Sequence, residues 1–72
     1  MRIKLRKDQE RADVFEELKN VFHEYHGDNI VFLHLIDSRK VIKTEPGFWV
    51  MPSEQFLGKI ENLLGKGAVH FT

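Results

Sequence analysis

The sequence predicts a single α+β domain in which strands and helices follow the order β-α-β-β-α-β. Three observations carry that prediction. Two stretches repeat their apolar residues at helical spacing, Val14 to Tyr25 and Phe56 to Leu64. Short segments rich in β-branched and aromatic residues flank them, above all Ile30 to Ile36. Each helical stretch is followed by a glycine, Gly27 and Gly65, the usual punctuation of a helix end.

The elements follow in order. Arg2 to Arg6 alternates charge with Ile3 and Leu5, the period-2 pattern of a half-buried strand. Asp8 is the expected N-cap of the first helix, in which Val14, Phe15, Leu18, Val21, Phe22 and Tyr25 share one face and Asp13, Glu16, Glu17 and Glu24 the other. Ile30 to Ile36 reads as a second strand. Asp37-Ser38-Arg39-Lys40 is a hairpin loop and Val41 to Thr44 the returning strand. Glu45-Pro46-Gly47 interrupts that strand before Phe48 to Met51, and Pro52, which has no N–H for a ladder, stops it. Ser53 caps the second helix and Glu54 places negative charge in its first turn. Phe56, Leu57, Ile60, Leu63 and Leu64 form its apolar stripe. Ala68 to Phe71 is the closing strand.

This order is the signature of a ferredoxin-like, split β-α-β sandwich, in complete or incomplete form, with two helices on one face of an antiparallel sheet. The whole chain, residues 1–72, is one small α+β domain without linker, repeat or low-complexity segment. At this length folding buries only about 60% of the unfolded surface, so the core must be well packed.

The strand Ile30 to Ile36 is apolar on both faces, Val31, Leu33 and Leu35 on one and Ile30, Phe32 and Ile36 on the other. Two short helices cover only one side of a sheet, and a split β-α-β places this strand at an edge. Ile30, Phe32 and Ile36, with Arg39 and Lys40 beside them, are therefore the candidate partner-binding residues. The alternative is that the loop carrying Phe48 folds over them. Trp49 is read as core.

Composition narrows the function. Eleven basic and eleven acidic residues cancel, so the molecule as a whole lacks the basic excess of a free-standing nucleic-acid binder. The chain has no cysteine, hence neither disulfides nor zinc thiolates. The N-terminus lacks the apolar core of a secretory signal, and no apolar run is long enough to span a bilayer. A cytoplasmic chain with no membrane partner is expected. Met1 fits a natural start or the start of a piece cut from a longer protein.

No constellation for catalysis is legible, and no catalytic, cofactor-binding or metal-ligating residue is expected. His23 and His26 share a helical face, but no H-E-x-x-H pattern accompanies them, and His34 and His70 fall on strands. Ser53 is explained as a cap and Ser38 lies in a loop, without a nucleophile elbow. The turn Lys7-Asp8-Gln9-Glu10 is too acidic for the phosphate loop of an acylphosphatase. Followed by Arg11, it is also a poor match to the amino-acid-binding turn of ACT domains. The third-strand motif of RNA recognition modules is missing between Lys40 and Met51. Arg2, Lys4, Arg6, Lys7, Arg39, Lys40 and Lys43 still offer material for a local phosphate-contacting patch.

Several of these features occur together in one known family. Leu18 to Tyr25, the turn His26-Gly27-Asp28, Val31, Leu33 and Leu35 come first. Trp49-Val50, Pro52-Ser53, Phe56-Leu57, Ile60, Leu63-Leu64-Gly65 and Val69 follow. From about Leu18 to Val69 this string resembles the C-terminal domain of the alpha subunit of bacterial DNA polymerase III. The resemblance implies a non-catalytic assembly module of a larger replicative polymerase subunit, whose parent is a DNA-directed nucleotidyltransferase. It also implies docking to the clamp-loader tau subunit or to the rest of the alpha subunit, with only indirect contact to DNA. The matching residues are mostly hydrophobic and turn positions, so no binding site transfers residue by residue. The sequence stops at Thr72, so a tau contact that needs a longer tail would be lost. The rival readings are a free single-stranded nucleic-acid-binding domain and a ligand-sensing, ACT-like regulatory domain.

Overall fold

The computed structural model describes residues 1–70. Five strands and two helices appear in it: β1 (Arg2–Leu5), α1 (Ala12–Glu24), β2 (His26–Asn29), β3 (Phe32–Leu35), β4 (Lys40–Lys43), α2 (Glu54–Leu64) and β5 (Val69–His70). Short 3-10 turns occupy Lys7–Gln9 and Pro46–Phe48. Phe71, expected in the last strand, lies outside the described residues.

The helices form where their apolar periodicity requires. Val14, Leu18, Val21 and Phe22 of α1 and Phe56, Ile60 and Leu64 of α2 are buried, and they close over Ile3, Leu5, Val31, Leu33 and Leu35. Phe22 and Tyr25 meet the Phe56 ring at 6.2 and 5.8 Å between centroids, which joins the two helices at the centre of the core. Ser53 caps α2 as expected, its Oγ accepting from the Phe56 N–H at 3.2 Å. Gly65 ends that helix with φ of 95°, a conformation glycine adopts without steric cost.

The antiparallel sheet expected for a split β-α-β is corrected. Four strands form one mixed sheet in the order β4-β3-β1-β5. β1 and β3, the strands on either side of α1, are direct parallel neighbours, whereas the split arrangement inserts a third strand between them. β4 pairs with β3 and β5 with β1, both antiparallel. The Ile30–Ile36 region is thus interior to the sheet, not an edge. Its sequence explains why: a strand apolar on both sides gains most between two neighbours, while β4, flanked by Lys40 and Lys43, is better suited to an edge. Backbone bonds extend the β1–β3 pairing past both ends, from the Phe32 N–H to the Met1 carbonyl and from the Ile36 N–H to the Leu5 carbonyl.

Other local expectations also change. Asp8 does not cap α1. It sits in the first 3-10 turn, paired with Arg6 at 3.2 Å, and Arg11 takes the N-cap position without a side-chain bond. Gly27 is not a left-handed helix cap: α1 stops at Glu24 and Gly27 lies in β2. There it is packed so tightly that a Cβ would come within 2.7 Å of the Met51 nitrogen and 2.8 Å of the Val50 carbonyl carbon. The expected strand Phe48–Met51 reduces to Val50, which bridges His26 and Asn29. Val50 is fully buried whereas Trp49 is half-buried, so Val50 supplies the core residue assigned to Trp49. The Trp49 indole N–H donates to the Thr44 carbonyl at 3.1 Å.

Candidate functional site: an open sheet face and an edge groove

The register gives every strand residue a side. In the four-stranded sheet, Ile3, Leu5, Leu33, Leu35, Lys40, Ile42 and Val69 fall on the side of the helices. Arg2, Lys4, Phe32, His34, Val41, Lys43 and His70 fall on the opposite face. No helix lies there, because both pack on the first face. One row crosses all four strands as His70, Arg2, Phe32 and Lys43, and the next places Lys4, His34 and Val41 side by side. The four strands of this sheet carry Arg2, Lys4, Lys40 and Lys43 and no carboxylate. The two helices carry six carboxylates against two lysines. The formal neutrality of the chain therefore hides a division between a basic sheet and an acidic helical layer.

The candidate partner-binding residues separate on this framework. Phe32 is on the open face, and Ile36, 44% exposed, continues its outward row just past the strand. Ile30 precedes β3, is half-buried, and its carbonyl accepts from the N-terminal ammonium at 3.1 Å. Arg39 sits in the hairpin turn with φ of 54°, and Lys40 begins the edge strand β4. The loop carrying Phe48 does not cover the open face. It turns to the helical side, where Phe48 stacks on His23 of α1 at 5.2 Å.

That turn creates a second feature. A groove of about 310 Å³ runs between α1 and β4, lined by the apolar Phe15, Leu18, Phe22, Leu33, Ile42 and Phe48 together with Lys19, Lys43, Thr44 and Glu45. Along it β4 has a free backbone edge, since it pairs only with β3 among the described residues. Val41 and Ile42 are 58% and 43% exposed on the two sides of that strand.

Gln9 is the polar residue the sequence reading overlooked. Buried beside the end of α2, it accepts from the Arg6 N–H at 2.9 Å and donates to the Leu64 carbonyl at 2.9 Å. It thereby satisfies one of the helix-end carbonyls that lack an internal partner. Its role is to fasten the first turn to the second helix. The Lys7 N–H donates to Asp37 at 2.7 Å and Ser38 to Glu10 at 3.2 Å, which tie the same turn to the hairpin. This turn, considered as a ligand loop from sequence, is occupied by structural bonds.

The histidines are dispersed: His23 stacks on Phe48, and His34 and His70 lie on different strands with cations between them. Among the described residues, no three of His, Asp and Glu stand close enough together to hold a metal ion. The ammonium of Lys59 is held above its ordinary pKa by hydrogen bonds from its Nζ to both Glu24 oxygens at 2.8 Å. Among the described residues, no helix is long and apolar enough to cross a membrane. Compared with protein-family models, curated proteins and solved structures, the chain finds no match.

Proposed function

We propose that this chain is a non-catalytic assembly module of a replicative polymerase of the polymerase III alpha type. In this reading it works in the cytoplasm and holds the polymerase to the clamp-loader tau subunit. The carrying observation is the edge strand β4, unpaired on one side among the described residues, with Ile42 exposed beside the groove between α1 and β4. An extended apolar segment of the partner adds to the free edge of β4, its backbone completing the ladder and alternate side chains filling the groove. Lys40 and Lys43 at the ends of the strand deter indiscriminate pairing while the edge is empty. Arg39 and Lys40 thus stay in the contact, and Ile30, Phe32 and Ile36 leave it.

Titration of the isotopically labelled protein with the C-terminal domain of tau tests the reading. The expected result is a set of amide shifts at Lys40–Lys43, Phe15 and Phe48, lost in Ile42→Lys. Unchanged spectra with tau overturn the proposal.

A further inference from the structure

We propose that the open face of the sheet binds single-stranded nucleic acid, with Phe32 as a stacking platform and Arg2, Lys4 and Lys43 as phosphate contacts. The inference does not rest on the assembly reading: Arg2, Lys4 and Phe32 lie on the face opposite the groove, and the two surfaces meet only at the edge strand, where Lys43 also lines the groove.

Charge complementarity selects the occupant. The open face presents three full positive charges around a half-buried aromatic, with His34 and His70 adding two ring donors or acceptors. No Asp or Glu occurs in any of the four strands, so nothing on them repels a phosphate. On the helical side the six carboxylates of α1 and α2 disfavour the same ligand, which restricts it to one face.

The register supplies the spacing. Phe32 lies directly between Arg2 and Lys43, with neighbouring strands about 4.8 Å apart. A base resting on the Phe32 ring therefore has a cation on each side within reach of its flanking phosphates. A flat aromatic with flanking cations suits single strands, whose bases are free to stack, and suits duplexes poorly because their bases are already stacked. Ile36 and Val41 extend the platform with apolar surface next to Phe32 and His34. Such a site is tolerant of sequence, since it offers stacking and charge but few groups aimed at base edges.

The test is fluorescence anisotropy of labelled oligothymidylate with the full chain, against a duplex of equal length and a polyglutamate peptide. The expected Kd at low salt is on the order of 10⁻⁵ M, and with three cations engaged log Kd rises against log salt with a slope of about 2. Phe32→Ala weakens binding about tenfold. Lys4→Glu and Lys43→Glu, placed outside the core, weaken it further without lowering Tm, while Lys19→Glu on the helical face leaves it unchanged. Equal affinity for polyglutamate or for duplex, equal sensitivity to Lys19→Glu, or no binding at low salt overturns the proposal.

Discussion

The helix-covered face of the sheet carries Ile3, Leu5, Leu33 and Leu35, all buried, while the open face of the same strands carries Arg2, Lys4, Phe32 and His34. Neighbours in sequence thus belong to different layers of the molecule. In the proposed reading, stability and recognition are divided by this alternation along each strand rather than between whole elements. The pleat keeps them apart: a side chain on one face makes no contact with its sequence neighbour on the other. Substitutions one residue apart should therefore have opposite consequences.

Leu5→Ala should give the largest effect. Leu5 is fully buried, and its loss costs about 2–5 kcal/mol, enough to unfold much of a domain whose whole stability is of order 5 kcal/mol. Chemical denaturation will show it, and Lys4→Ala should stay within about 0.5 kcal/mol of the parent protein. Gly27→Ala ranks next. Its Cβ meets backbone rather than a movable side-chain end, so the β2–Val50 contact must open, with an expected loss of about 1–3 kcal/mol.

Gln9→Leu sharpens the comparison at the boundary between the layers. It leaves the Leu64 carbonyl and the Arg6 N–H without their partner, an expected loss of about 1–3 kcal/mol in the same denaturation experiment. Glu24→Gln should have the smallest effect. Its partner Lys59 is exposed, and stability linked to the raised lysine pKa is fully present below the unfolded-state value and declines only as pH rises through the folded value. Thermal melts from pH 6 to 8, chosen as roughly neutral conditions well below lysine titration, should show no trend attributable to this pair.

Much of the local structure was legible because it is decided locally. The spacing of Val14, Leu18, Val21 and Phe22 commits α1 to one buried face, and Ser53 with Gly65 delimits α2 by short-range bonding. The strand order was not legible, because β1 meets β3 rather than β4 through a competition among segments distant in the chain. The apolar richness of Phe32–Leu35 against the lysine-flanked Lys40–Lys43 decides that competition, yet it reads as a preference only once both positions are compared. Asp8 failed as a cap because Gln9, its neighbour, bonds to Leu64 across the fold and holds that turn in 3-10 form.

The candidate site was hidden for a related reason. Its cations were all visible in the sequence, but Arg2, Phe32, Lys43 and His70 form a row only when three strand pairings and their registers are known. Of the residues marked from sequence, Phe32 and Ile36 reached the open face and Lys40 the edge strand. A strand read as an edge became a centre, and its outward side chains Phe32 and His34 came to lie in the middle of the open face.

The most direct test of this division measures thermal stability and oligothymidylate affinity together for Leu5→Val and Lys4→Glu. The account predicts that Leu5→Val lowers Tm and, well below that Tm, leaves affinity intact, whereas Lys4→Glu lowers affinity and leaves Tm intact. If either substitution moved both quantities, or each moved the other's, the two faces would not be separate and the account would fail.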